Sequence, residues 1–365
     1  MRDWLASAAE RTPDAPALFI SDQVWTYRQL DARANDVCGR LVALGVAPGN
    51  RVASLLPNGL DYLCLVHALA RLGAVVVPLN ARMTAAEAAW QIEQAAVDRV
   101  IRAADDLAGT QPVPFAPVPL DLDAVQSIVF TSGTTGKPKG AQITFGNLYH
   151  SALASAERLG AFPDDRWLCP LPFYHVGGLS IIFRSAIYGS SIVLPEATTT
   201  ESIIKGLHDS QATIVSLVPT QLYRMLEAGF EAPSSLRLIL LGGAAATPEL
   251  LQRCLDRDLP IALTYGLTEA ASQVATAAPE QVRAKPGSVG KPLNGTTVRI
   301  VDDEGYDQPS GVYGEIVVSG DTVMKGYLGQ PETSGTFPTG DIGYLDADGD
   351  LWSRAAPQRP DRQWR

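Results

Sequence analysis

The sequence predicts an α/β protein with two mainly parallel sheets and flanking helices, followed by a small antiparallel β-barrel-like region. Apolar strand-like runs alternate with helical segments through about residues 1–284. Such alternation is typical of parallel sheets that are covered by helices on both faces. After about Pro286 the pattern changes to short strands separated by turns, such as Thr297–Val301 and Gly314–Val318. This change predicts a separate β subdomain over about residues 285–352.

Apolar runs and helix caps mark the first elements of the α/β region. Strands are predicted at Val52–Leu56, Ala74–Pro78 and Arg99–Ile101, and a helix at Tyr62–Leu72. The segment Thr84-Ala85-Ala86-Glu87 is a capping-box pattern, in which a threonine and a glutamate satisfy backbone groups at a helix start. It predicts a helix that runs through Gln94.

The remaining α/β elements follow the same logic. Four more strands are predicted, at Ser127–Phe130, Thr213–Leu217, Leu238–Leu241 and Ile261–Thr264. A helix is expected after Thr247-Pro248-Glu249, which combines a cap, an early proline and an early acid. The segment Ala103–Leu122 contains four prolines and is predicted to be a surface linker.

Size and charge limit the classes of function. At about 150 residues per domain, the 365 residues suggest two or three domains. A composition of 46% hydrophobic and 19% charged residues excludes a disordered chain and a coiled coil. The net charge of −10 argues against a nucleic-acid partner, because nucleic-acid affinity comes from neutralised phosphates. Any phosphate must therefore be bound by a local site.

Cysteine usage and the N-terminus bear on the compartment. Cys38, Cys64, Cys169 and Cys254 form no CxxC pair, so buried free thiols are expected rather than disulfides or a zinc site. The first residues lack the apolar stretch of a signal peptide. No apolar run reaches the roughly 18 residues that a membrane span needs. We therefore expect a cytoplasmic protein with no membrane span.

A loop rich in glycine, hydroxyl groups and lysine follows the predicted strand Ser127–Phe130. Glycines let the backbone N–H groups approach a ligand, and hydroxyls and lysines add donors and positive charge, so the loop suits a polyphosphate. It is not a Walker A loop, because only two residues separate its first two glycines and a proline follows the first lysine. A polar surface loop is the alternative. The predicted phosphate ligands are Thr131, Ser132, Gly133, Thr134, Thr135, Gly136, Lys137 and Lys139.

This loop resembles the phosphate loop of the adenylate-forming acyl-CoA synthetases. Three further segments resemble motifs of that family in the family's order: Gly242-Gly243-Ala244, Thr264–Glu269 and Thr339-Gly340-Asp341. The resemblance runs from near the N-terminus to about Trp352 and implies the fold of the family's large N-terminal domain.

The resemblance also implies roles for single residues. Gly243 and Ala244 would border the adenine, Tyr265 would pack on it, and Asp341 would bind both ribose hydroxyls. Thr268 would meet the α-phosphate, beside Gly266, and Glu269 would help to hold Mg²⁺. A carboxylate is a natural acceptor for two neighbouring hydroxyls, and Mg²⁺ takes few protein carboxylates together with phosphate oxygens. Thr268, Glu269, Lys137 and His175 are the expected catalytic residues.

The family reaction implies ATP, Mg²⁺ and coenzyme A. A substrate carboxylate would attack the α-phosphate of ATP to give an acyl-adenylate and pyrophosphate, and coenzyme A would then displace AMP. The carboxylate is already ionised at neutral pH, so the first step needs no general base. Positioning and charge stabilisation are the expected contributions of the protein.

The acid is indicated by the segments around His175 and after Glu269. His175 occupies the place of the family's acyl-pocket histidine; a core histidine with satisfied hydrogen bonds is the alternative. With Ser272-Gln273, these segments most resemble the 2-succinylbenzoate–CoA ligases of menaquinone biosynthesis. The predicted acyl contacts are His175, Gly266, Gln273 and Val274. Medium-chain, fatty and aryl acids remain alternatives, as does a non-catalytic remnant that binds ATP or acid. A homodimer is also considered.

Residues 353–365 do not resemble the family. The resemblance leads us to expect a hinge and a lid domain after this point, with a lysine that bridges the acid and the α-phosphate. Residues 353–365 lack apolar periodicity and read as a disordered tail. The chain as given is expected to bind ATP and acid, to adenylate weakly and to form little thioester.

A frameshift near Ser353 would explain this ending. Synonymous codons can be chosen for residues 357–364 that encode Arg-Ser-Asp-Leu-Ile-Val-Ser when they are read from the second base, which is the family's style of sequence. The nucleotide sequence tests this hypothesis, since codons that forbid the shifted reading would exclude it.

Overall fold

The computed structural model describes residues 3–131 and 137–354. Their strands form three sheets of eight, six and four strands, and the predicted fold class is confirmed. The helices are α1 Trp4–Arg11, α2 Tyr27–Ala43, α3 Leu60–Leu72, α4 Ala85–Gln94, α5 Asp105–Ala108, α6 Phe145–Leu159, α7 Val176–Tyr188, α8 Thr200–Asp209, α9 Pro219–Glu227, α10 Pro248–Leu255 and α11 Pro279–Ala284, with a 3₁₀ turn at Thr268–Ala270.

The strands agree with the predicted apolar runs to within about three residues at each end. They are β1 Pro16–Ile20, β2 Gln23–Thr26, β3 Arg51–Ser54, β4 Val75–Pro78, β5 Arg99–Ile101, β6 Val125–Thr131, β7 Lys139–Thr144, β8 Arg166–Leu168, β9 Ser191–Leu194, β10 Ile214–Leu217, β11 Leu238–Leu241, β12 Ile261–Leu267, β13 Ser272–Ala277, β14 Thr296–Val301, β15 Gly314–Gly320, β16 Gly326–Tyr327, β17 Thr336–Leu345 and β18 Leu351–Arg354.

The eight-stranded sheet has the order β13-β12-β11-β10-β8-β9-β1-β2. Its strands from β12 to β1 are parallel, and an antiparallel strand closes each edge. The six-stranded sheet has the order β16-β7-β6-β4-β3-β5, with parallel pairing from β6 to β5. Helices α3 and α7 are buried on nearly all sides, which is typical of helices that lie in the interior of a large protein.

The four-stranded sheet β14-β15-β17-β18 is antiparallel throughout. It lies where the sequence predicts the β subdomain, and its last strand runs through Arg354. The division into subdomains at about residue 285 stays a prediction. The predicted tail falls mostly on residues 355–365, which lie outside the described residues.

Several local predictions are confirmed. Thr84 accepts from the backbone of Glu87 and the glutamate side chain returns to the Thr84 backbone, so the capping box forms. The proline-rich segment has the short helix α5 as its regular element. All four cysteines are buried and unpaired. No helix in the described parts of the chain is long and apolar enough to cross a membrane.

Candidate active site

The predicted motifs of the eight-stranded sheet meet at one edge. Strands β8, β10, β11 and β12 are parallel, so their carboxyl ends point the same way. His175 follows β8, Gly243 and Ala244 follow β11, and Tyr265 lies in the last half of β12. A Cβ atom on Gly242 would lie 2.6 Å from Cγ2 of Thr264, so these two strand ends are in close contact. The carboxyl edge of a parallel sheet is a common position for ligands.

The predicted phosphate loop joins two antiparallel strands. Thr131 ends β6 and pairs with Lys139 at the start of β7. Lys137 is exposed and Lys139 is half-buried. A Walker loop instead opens a helix, so the hairpin supports the exclusion of that motif. The predicted ligands Ser132, Gly133, Thr134, Thr135 and Gly136 lie outside the described residues.

A tyrosine links this hairpin to the predicted metal ligand. The ammonium Nζ of Lys139 lies 5.1 Å from the ring centroid of Tyr327. The Tyr327 hydroxyl donates to Oε1 of Glu269 over 2.6 Å. Burial and the neighbouring glutamate raise the pKa of Tyr327, so this hydroxyl stays protonated and remains a donor. Lys139 and Glu269 thus contact the same aromatic side chain, Lys139 at the ring face and Glu269 at the hydroxyl.

A second tyrosine holds the predicted ribose ligand. The Tyr265 hydroxyl donates to Oδ2 of Asp341 over 2.7 Å. Burial, followed by the charge of Asp341, raises the pKa of Tyr265 above its usual value. Asp341 lies just after Gly340, whose φ of 76° is in the left-handed region, and its backbone N–H donates to Thr339 Oγ1 over 3.1 Å. These contacts fix the orientation of the carboxylate.

The turn between β12 and β13 is tight and strained. A Cβ atom on Gly266 would lie 1.8 Å from the carbonyl oxygen of Ser272, so only glycine fits there. Ala271 and Ser272 have φ values of 50° and 104°, which non-glycine residues rarely adopt. The turn carries Thr268, which is half-buried, and Glu269, which is 9% exposed. Backbone strain of this kind is concentrated at functional sites.

An asparagine in the loop between β3 and α3 binds the loop that precedes His175. Asn58 donates from Nδ2 to the carbonyl of Leu171 over 2.8 Å, and its Oδ1 accepts from the N–H of Phe173 over 2.9 Å. His175 itself is the exposed N-terminal cap residue of α7, and its ring centroid lies 4.5 Å from that of Tyr174, with the two ring planes tilted by 54°. The alternative of a core histidine is therefore wrong. Desolvation by neighbouring protein atoms lowers the pKa of His175.

A buried arginine lies behind the β12–β13 turn. Arg184 is 2% exposed, and its Nη2 donates to Oγ of Ser151 over 3.1 Å. Ser151 in turn donates to the carbonyl of Ala271 over 2.9 Å. Within the described residues Arg184 has no carboxylate partner, and its Nε has no hydrogen bond. Burial lowers the pKa of this guanidinium.

Family comparison identifies the chain. The sequence pattern of the AMP-binding enzyme family matches residues 5–328. The chain belongs to the AMP-binding enzyme family. A 2-succinylbenzoate–CoA ligase of Bacillus licheniformis is 40% identical to it, over 96% of this chain and 78% of the relative.

Solved structures of AMP-binding enzymes agree with the fold. The o-succinylbenzoate CoA synthetase of Bacillus subtilis, in complex with the acyl-adenylate intermediate, superimposes with a TM-score of 0.93 at 35% identity, over 97% of this chain and 78% of that one. The N-terminal domain of FACL13 from Mycobacterium tuberculosis gives a TM-score of 0.89 at 28% identity, over 98% of this chain and all of that one (100%).

Two of the predicted acyl contacts, Val274 and Gln273, are buried. Val274 is fully buried and belongs to the hydrophobic core that also contains Ile316 and Val318, and its role as an acyl contact stays a prediction. Gln273 is 2% exposed and donates from Nε2 to Thr276 Oγ1 over 3.0 Å, while its Oε1 has no partner among the described residues.

Sequence reasoning missed three residues at this site: Tyr327, Arg184 and Asn58. Tyr327 stands in the segment Met324-Lys325-Gly326-Tyr327-Leu328, where nothing in the sequence pattern distinguishes it from a packing residue. Arg184 did give a signal, because it is the one charged residue of the apolar sequence Ile181–Ile187. Burying a charge in such a segment costs free energy unless the charge is paired, so a charge that is kept there points to a function.

Proposed function

We propose that this protein activates a carboxylic acid with ATP to an acyl-adenylate and then transfers the acyl group to coenzyme A. The observation that supports this most directly is a pair of tyrosine contacts near the predicted phosphate loop. Tyr327 contacts both Lys139 and Glu269, and Tyr265, four residues before Glu269, donates to Asp341. The related ligases and synthetases are named for this reaction. A Bacillus subtilis relative has also been solved in complex with ATP and a magnesium ion.

Each side chain would act by position and charge. Asp341 would accept from the ribose hydroxyls, with Tyr265 against the base beside Gly243 and Ala244. Lys137, Lys139 and the loop between them would neutralise the phosphates. Thr268 would donate to the α-phosphate as charge develops there.

Glu269 suits a magnesium ion because its carboxylate is oriented through Oε1, and a hard cation prefers such oxygen ligands. Magnesium, when bound with ATP, supplies further neutralisation of phosphate charge. No general base is needed, because a carboxylate substrate is ionised at neutral pH.

The acid we propose is 2-succinylbenzoate, which carries a second carboxylate. A buried arginine without an acidic partner is costly, and an anionic ligand would remove that cost. Arg184 is such a group, and it is connected through Ser151 to the backbone of Ala271. His175 and Gly266 would border the reacting end of the acid, at the sheet edge. A fatty acid would leave Arg184 unpaired.

The test is acid-dependent release of pyrophosphate by the 365-residue chain. We expect release with 2-succinylbenzoate and much less with octanoate or benzoate. Release with octanoate or benzoate at the same rate would remove the dicarboxylate proposal. ATP binding with no release for any acid would support the alternative of a non-catalytic remnant. Acyl-CoA formation is measured in parallel.

A matched pair of variants tests the role of Arg184. Arg184→Met removes the charge and keeps much of the side-chain volume; Arg224→Met does the same at an exposed position. We expect the first to raise KM for 2-succinylbenzoate at least tenfold and to leave ATP affinity unchanged, since a charged hydrogen bond contributes about 1.5–3 kcal/mol. The second should change neither.

The homodimer and the cytoplasmic location stay predictions. Light scattering tests the first and cell fractionation tests the second.

A further inference from the structure

We propose that Tyr327 is a positioning residue for Glu269, holding its carboxylate in the orientation that a magnesium ion requires. The proposal rests on the proposed function, in which Glu269 is the magnesium ligand. Tyr327 is placed by strand pairing and contacts two predicted ATP-site residues at once, Lys139 through its ring and Glu269 through its hydroxyl.

The first support is the way strand β16 is anchored. It is only two residues long, Gly326–Tyr327, and it pairs antiparallel with β7 at Gln142 and Ala141. The N–H of Lys325 donates to Gln142 O over 3.0 Å, and that of Leu328 donates to Gly140 O over 2.9 Å. Backbone hydrogen bonds thus fix Tyr327 from both sides against the strand that leaves the phosphate loop.

The second support is the attachment of the same segment to the turn that carries Glu269. The N–H of Met324 donates to the backbone carbonyl of Glu269 over 2.8 Å. Glu269 is therefore tied to this segment twice, by its backbone through Met324 and by its side chain through Tyr327. The side-chain bond uses Oε1, and the described residues place no hydrogen bond on Oε2, which is the oxygen left for a cation.

The third support is electrostatic. Lys139 and Glu269 have opposite charges, and Tyr327 contacts the first through its ring face and the second through its hydroxyl. A cation over the ring face withdraws electron density and strengthens the hydroxyl as a donor to the carboxylate. The edge of Phe337 packs on the same ring at 6.1 Å, which limits its rotation. Groups that orient a metal ligand in this way typically change metal affinity about 10–100-fold when removed.

The experiment measures ATP binding to the 365-residue chain by calorimetry, with EDTA and across a magnesium titration. In Tyr327→Phe we expect the affinity for ATP in EDTA to be unchanged. The increase in ATP affinity on adding magnesium should be about 10–100-fold smaller than in the wild type. The matched control is Tyr344→Phe, because that tyrosine contacts Tyr313 and Trp352 through its ring and lies in the four-stranded sheet. It should match the wild type under both conditions.

A double-mutant cycle separates positioning from a structural role. If Tyr327 acts through Glu269, Tyr327→Phe should have no further effect on magnesium dependence in the Glu269→Gln background. The proposal is overturned if Tyr327→Phe keeps the full magnesium gain, or if it weakens ATP binding equally in EDTA. Wild-type protein that binds ATP with no magnesium dependence would instead count against the proposed function, and the role of Tyr327 would fall with it.

Discussion

The Tyr265 hydroxyl and the Asp341 carboxylate are joined by a hydrogen bond of 2.7 Å between residues 76 positions apart. The carboxylate therefore already accepts a hydrogen bond from this tyrosine when no nucleotide is bound. A ribose with two hydroxyl donors can use the same acceptor, whose orientation is already set by Gly340 and Thr339. Pre-orientation reduces the entropy that a ligand must lose on binding.

Replacing Asp341 should therefore weaken nucleotide binding specifically. We expect Asp341→Ala to lower ATP affinity about 10–100-fold, because hydrogen bonds to a charged group contribute about 1.5–3 kcal/mol. Calorimetry with ATP measures the effect. Asp307→Ala is the control, since that aspartate forms an exposed ion pair with Arg299. Equal ATP affinity in the two variants would rule out Asp341 as a nucleotide ligand.

Gly266 should tolerate no side chain. In Gly266→Ala the new Cβ atom would overlap the Ser272 carbonyl, so the turn that carries Thr268 and Glu269 must shift. We expect ATP binding to be lost or reduced more than tenfold, together with a lower thermal midpoint. Gly109→Ala is the matched control, because no atom lies within 4 Å of a Cβ atom built there. Wild-type affinity in Gly266→Ala would show that the turn is more adaptable than its geometry indicates.

The ion-pair cluster of Arg71 should be important for stability. Arg71 is 3% exposed and bonds to both oxygens of Asp3 and to Asp31. Arg71→Met would leave these acids without their cation, and we expect a loss of about 3–5 kcal/mol in urea unfolding. Arg28→Met removes an ion pair that is largely exposed and should cost less than about 1 kcal/mol. Similar losses in the two variants would contradict this.

Stability should fall in mild acid because of His67. Burial lowers its pKa to about 4, whereas an unfolded histidine titrates near 6.5. The unfolded state therefore binds more protons between these values, and stability falls as the pH decreases from about 6.5 to about 4, by about 3 kcal/mol from this group. In His67→Gln this component of the pH slope should disappear. Urea midpoints over this pH range measure it, and parallel curves for the two proteins would refute it.

The parts of this fold that local sequence determines could be predicted. The capping box at Thr84 needs only residues within one helical turn. The strand Leu238–Leu241 consists of apolar residues alone, which predicts that it is buried. The hydrogen bond from Tyr327 to Glu269 could not be predicted. It joins residues 58 positions apart and depends on the pairing of a two-residue strand. The packing around Val274 could not be predicted either, because its core is completed by Val298 and Ile316, which come later in the chain.

Among the described residues, β16 and β17 carry the candidate-site residues that come latest in the chain, and this has a consequence for synthesis. A nascent chain that has left the ribosome as far as β15 contains the phosphate-loop hairpin, Tyr265 and Glu269, but it contains neither Tyr327 nor Asp341. ATP can stabilise only a species that binds it. Nucleotide should therefore protect chains that include β16 and β17. Earlier translation intermediates should stay exposed to proteases and chaperones.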